Sequence, residues 1–183
     1  MTLKTLLSTA ALIALPLSAL ADAPKAFDVA EDITRLIFAA APVFDDGMPA
    51  YGNAFVTQGY IYPAGTLSDG AEGVNPDGSP AYPDLVIGTW TCDGYFVGDG
   101  MRTETGAIVI ARQVHRFDTG EILVSHGPEI VDAGVPFQRA VTGGTGNLTD
   151  TRALQQVMLG MSEGYGVRLQ FALDGEDFAF NGN

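Results

Sequence analysis

From Ala54 onward the chain alternates between short apolar, β-branched or aromatic stretches and clusters of turn residues. The stretches are Ala54–Tyr62, Leu85–Thr91, Tyr95–Val97, Ala107–Phe117, Glu121–Val131, Phe137–Thr142, Arg152–Met161 and Val167–Leu173. Asp118-Thr119-Gly120, Ala133-Gly134, Gly143-Gly144-Thr145-Gly146-Asn147 and Glu163-Gly164 punctuate them, as turns do between strands. A long loop between Pro63 and Pro83 centres on Asn75-Pro76-Asp77-Gly78-Ser79-Pro80, a run of residues suited to tight turns. Before Ala54 the period changes. Asp28 and Glu31 have capping-box spacing, Ala30, Ile33, Ile37 and Ala40 recur at helical spacing, and Pro42 stops the run. That pattern predicts one short helix, lying outside the domain or plugging one end.

Strands in this number, joined by short turns, predict an all-β domain, an eight-stranded antiparallel barrel or a sandwich. Several strands lack clean alternation, and Ala107 to Val114 is apolar almost throughout, broken by Arg112 and Gln113. Such a strand fits a barrel whose outer face is covered, or one enclosing an apolar lumen with room for side chains or a small ligand.

The N-terminus follows a different logic. Lys4 precedes an apolar run from Leu6 to Leu17, and Ala19-Leu20-Ala21 supplies small-x-small residues. This order predicts a removable secretory signal over residues 1–21. The run is short for a permanent membrane anchor, and no cysteine follows it to accept a lipid. The expected organisation is signal peptide 1–21, helix and extension 22–53, and barrel domain 54–183. The expected destination is secreted or periplasmic, without membrane insertion.

Charge excludes some partners. The formal net charge is −13, which repels phosphate backbones, so nucleic-acid binding is not expected. Hydrophobic residues at 46% against charged residues at 17% favour a packed domain over an acidic disordered chain. Cys92 is the only cysteine, so no internal disulfide can form. His115 and His126 stand in no metal-ligand spacing, and no cofactor motif is present. The glycine run at 143–146 is followed by a strand rather than the helix a phosphate loop opens, so it reads as a tight turn.

Val124-Ser125-His126-Gly127-Pro128, Val135-Pro136-Phe137-Gln138-Arg139-Ala140-Val141-Thr142-Gly143-Gly144-Thr145-Gly146 and Leu154-Gln155-Gln156 together resemble the C-terminal half of allene oxide cyclases. Plant dirigent proteins share the Gly-Gly-Thr-Gly turn. The resemblance implies an eight-stranded antiparallel barrel with an apolar cavity, often trimeric, that cyclises an unstable epoxide or steers radical coupling. Where cyclases place a carboxylate and an amide on the first barrel strand, this chain has Gln58 and Tyr60. Where they have a tyrosine after the Gly-Pro step it has Glu129, and Cys92 stands near their second-strand cysteine.

These readings converge on a barrel that binds or steers a small apolar molecule in its lumen. An isomerase or cyclase acting on a reactive hydrophobic substrate is the alternative, and a filled structural barrel a second. Glu129 and Cys92 are the candidate catalytic groups, Glu129 as a base if burial raises its pKa. Gln58 and Tyr60, two residues apart and so on one strand face, are candidate ligand contacts, as is His115. The expected partners are a small apolar ligand or substrate and further copies of the chain, with no metal and no cofactor.

Overall fold

In a computed structural model, residues 22–162 and 166–178 are described, and the predicted signal segment lies outside them. Eight strands form one closed barrel: β1 (Ala26–Phe38), β2 (Ala54–Pro63), β3 (Gly88–Phe96), β4 (Ala107–Phe117), β5 (Ile122–Ile130), β6 (Phe137–Gly144), β7 (Ala153–Met161) and β8 (Val167–Leu173). Each pairs antiparallel with the next, and β8 closes on β1, with Phe27 opposite Phe171 and Val29 opposite Leu169. Closure leaves no free sheet edge.

The helix expected near Ile33 is instead strand β1, so the barrel begins at Ala26 rather than Ala54. The apolar residues at helical spacing belong to two different faces of a strand. Phe27 and Val29 join the lumen core, while Ala30 packs outside with Tyr62 and Leu67. The carboxylates that mimic a capping box do other work: Asp28 accepts the Leu67 amide and the Gln170 side chain, and Glu31 accepts the Val167 amide. Two-sided hydrogen bonding to β2 and β8 outweighs a local helical preference.

The stretches around Leu85–Thr91 and Tyr95–Val97 fuse into the single strand β3, while Pro83–Leu85 forms a short 3-10 turn. Gly94, which resembles a break, sits where a Cβ would lie 2.2 Å from the Ile110 carbonyl oxygen. It permits a close approach of β3 and β4 instead of ending the strand.

The 64–87 loop runs along the outer face of β8, β1 and β2 as a strap. Tyr62 Oη donates to the Gly73 carbonyl, Tyr60 Oη to Gly78 and Arg168 Nη1 to Ala71. At Gly73, φ is +76° and a Cβ would press on Ala30 and Leu67. The strap explains why these strands are apolar on both faces: their outer residues form a second small core beneath it.

The lumen has a closed floor and an open mouth. At the floor Phe27 stacks on Phe171 and meets Phe117 and His115 edge-on, with centroids 5.1 to 5.2 Å apart. Burying each such ring stabilises the fold by roughly 1.5–3 kcal/mol. At the mouth the β1–β2 loop is tied by Asn53 to Ala39 and Pro42. The loop after β3 docks on it through Met101 N to Pro49 O, and Arg102 pairs with Asp46 across the Phe44 ring.

Candidate functional site

Strand alternation sends every second residue into the lumen. In the upper half, β1 contributes Glu31, β2 Thr57, β3 Trp90 and Cys92, β4 Val109, β5 Glu129 and β7 Met158. These line a cavity of about 60 Å³, room for a few water molecules or a small chemical group. Apart from Glu31, Thr57, Cys92 and Glu129 its walls are apolar. Met101, Met158 and Met161 stand among them, and their unbranched side chains adapt to an occupant more readily than branched ones.

Glu129 is held from two strands in the lumen. Its Oε1 accepts from Gln113 Nε2 at 2.9 Å and from the Cys92 thiol at 3.2 Å, and Arg139 Nη1 lies 3.9 Å away. Arg139 is itself buried, donating to the carbonyls of Pro128, Gly127 and Ala111 and to Ser125 Oγ. Those bonds hold the irregular end of β5 in place and set a permanent positive charge beside Glu129. Gln113 Nε2 also reaches Gln156 Oε1 at 3.1 Å, so the network spans the barrel from β3 to β7.

Glu31 stands on the same cavity and is 8% exposed. Burial pushes its pKa up to about 7; the Thr57 hydroxyl and Val167 amide oppose the shift, and Glu129 and Asp32 add to it. Among the described residues no cation pairs with it as Arg139 does with Glu129. The lumen therefore holds two carboxyls in different roles. One is fixed by donors and an arginine, and the other exchanges a proton near neutral pH.

Of the residues singled out from the sequence, Cys92 and Glu129 meet in the lumen. Burial, followed by the nearby Glu129, pushes the Cys92 thiol well above its ordinary pKa, so it serves as a donor to Glu129 and not as a thiolate nucleophile. His115 also faces inward but belongs to the floor, one layer below Gln113. Burial drives it down to about 3, Arg139 adding and the Leu123 backbone opposing, so it is neutral.

Gln58 and Tyr60 do share a face, and it is the outer one, which corrects their expected place in the lumen. Gln58 accepts from Arg35 Nη1 at 2.9 Å on the exterior, and Tyr60 anchors the strap. Their inward neighbours Thr57 and Gly59 hold the lumen positions instead. Glu31, Thr57, Trp90, Gln113, Arg139 and Gln156 completed the inner face without being picked out as site residues. The Gln113-x-His115-x-Phe117 spacing was the legible clue for β4, whereas Glu31 was hidden by its place in an apparent helix.

No family model matches the chain, and no curated protein matches it in sequence. Solved structures do match. The pterocarpan synthase dirigent protein PsPTS1 aligns with a TM-score of 0.58 at 12% identity, covering 81% of this chain and 90% of that one. The pterocarpan synthase dirigent protein GePTS1 aligns at 0.52 and 13% identity, covering 81% and 83%. At such identities the likeness is one of fold. The chain forms a closed eight-stranded antiparallel barrel with a dirigent-like fold.

Proposed function

We propose that the barrel holds a small, largely apolar molecule at the lumen mouth and steers it into one conformer, with Glu31 able to give or take a proton during its conversion. The observation that carries this reading is the pairing of two unlike carboxyls, Glu31 and Glu129, on one apolar cavity. Apolar walls select and fold the ligand, and a fixed negative charge at Glu129 favours positive charge developing close to it. A neutral Glu31 supplies a proton, and its conjugate base takes one back. This is isomerase or cyclase chemistry, and it needs only the groups named. The fold shared with dirigent proteins supports the steering role.

The filled lower lumen supports the structural alternative for the floor only. The signal-like residues 1–21 support export before the barrel acts, and the acidic surface supports a small-molecule rather than nucleic-acid partner. Outer-face residues Val56, Tyr95 and Ile37 are exposed and support self-association, which sedimentation of the chain lacking residues 1–21 tests directly.

A thermal-shift screen of small apolar compounds tests the binding reading. Hits are expected to stabilise the wild-type chain and to lose their effect in Val109→Trp, which fills the cavity. Hits that stabilise both equally bind elsewhere and overturn the assignment.

A further inference from the structure

One donor on the mouth cavity has no partner among the described residues. Trp90 lines the cavity and is 1% exposed, yet its Nε1–H meets no acceptor. Thr57, 2% exposed, lines the same cavity, and its hydroxyl is directed to the neighbouring Glu31 carboxyl. Buried donors are seldom left unmatched, because each costs its full desolvation. An indole N–H can only donate, so what completes it must offer an acceptor.

Register places these groups together. Glu31 pairs with Gly59 and Gly59 with Trp90, so the three lie in one row across β1, β2 and β3. Thr57 is two residues from Gly59 on the same inner face. Gly59 contributes no side chain, and a Cβ there would lie 2.2 Å from the Ala30 carbonyl oxygen. The glycine therefore lets the β1 backbone approach β2 closely, and no side chain stands between Glu31 and Trp90 in that row.

Resting on the lumen-binding reading above, we propose that the ligand carries an uncharged acceptor oxygen, a ketone, ether or hydroxyl, that seats in the mouth cavity against Trp90 and accepts from Trp90 Nε1–H. An anionic oxygen is disfavoured. Glu31 and Glu129 line the same cavity, the chain carries −13, and the one nearby guanidinium, Arg139, is already committed to three carbonyls and Ser125. A pure hydrocarbon leaves the indole unmatched. Trp90 thus specifies an oxygenated apolar molecule and places its oxygen in the row that holds Glu31, the group able to protonate it.

Trp90 is the only tryptophan in the chain, so its indole N–H gives a single reporter resonance. The experiment titrates the wild-type protein with cyclohexanone, with methylenecyclohexane, which has the same shape without the oxygen, and with cyclohexanecarboxylate. Cyclohexanone is expected to move the indole N–H resonance downfield and to bind about three- to tenfold more tightly than methylenecyclohexane, the worth of one neutral hydrogen bond. Cyclohexanecarboxylate is expected to bind more weakly than cyclohexanone. Trp90→Phe should equalise the first two probes, whereas Thr57→Val, which leaves the ring in place, should preserve their difference. Equal binding of ketone and alkene with an unmoved indole proton overturns the oxygen assignment and leaves lumen binding standing. Failure of every probe to bind up to its solubility limit overturns both.

Discussion

The mouth and the floor of the lumen are cut from the same strands, yet they solve opposite problems. At the floor, β1, β4 and β8 send in Phe27, Phe117 and Phe171, which close around His115. A few residues further along, the same strands send in Glu31, Val109 and Val167 around a cavity. Even the titratable groups diverge. His115 is held neutral by burial among rings, while Glu31 carries a proton near neutrality. A barrel can thus place its stability in one half of the lumen and leave the other half free for chemistry.

The largest effect is expected at the junction between the halves. Arg139→Ala leaves Glu129 without its counter-charge and strips donors from three carbonyls. Breaking one side of a buried pair costs about 3–5 kcal/mol, and urea unfolding should show at least that. If Arg139→Ala is nearly neutral, the network is not what joins mouth to floor.

Cavity creation sharpens the contrast directly. Phe27→Ala should cost about 3–5 kcal/mol, as buried Phe truncations do. Leu36→Ala, at the partly exposed mouth, should cost under about 1.5 kcal/mol by the same measurement. Equal losses would mean that the mouth is packed as the floor is.

The two titrating groups give opposite pH slopes. The pKa of Glu31 is raised by burial from 4.5 to about 7. The folded state therefore binds its proton more tightly, and the stabilising contribution is full below about 4.5 and lost as pH rises through about 7. The loss amounts to roughly 2–4 kcal/mol for a shift of this size. His115 is lowered from 6.5 to about 3, so its contribution is present above about 6.5 and lost as pH falls through about 3. Unfolding free energy followed across pH should show Glu31→Gln removing the decline toward neutral pH and His115→Phe removing part of the acid decline. A curve for His115→Phe, with Glu31 intact, that stays flat from pH 4.5 to 7.5 would refute the assigned state of Glu31.

The smallest effect is one of reactivity. Cys92 is 1% exposed and its thiol is bonded to Glu129. A thiol reagent should leave the native chain unlabelled and take up one equivalent in denaturant. Native labelling would mean that the mouth opens more freely than its packing implies.

How far the sequence reveals this molecule depends on the residue. In β4, Val109, Gln113, His115 and Phe117 alternate with exposed Arg112 and Arg116, and the inner face can be read directly. In β2 it cannot. Phe55 and Ile61 face the lumen while Tyr60 and Tyr62 face the strap, so both faces are apolar and nothing local says which is inside. In β1, Asp28, Glu31 and Asp32 sit among apolar residues at spacings that suit a helix, and only pairing with β2 and β8 makes them a strand.

By itself the sequence determined the all-β class, the antiparallel strands and most turns, while closure into a barrel and the convergence of Cys92 with Glu129 were implied only by the family resemblance. Period-two alternation and turn chemistry are local properties, and each residue carries its own share of them. Only the tertiary structure decided that β1 is a strand, that the 64–87 strap buries an outer face, and that Glu31 rather than Gln58 or Tyr60 meets Glu129 across the lumen. Those outcomes depend on which segments cover which faces and on how far burial shifts a carboxyl, and both are set by neighbours distant along the chain.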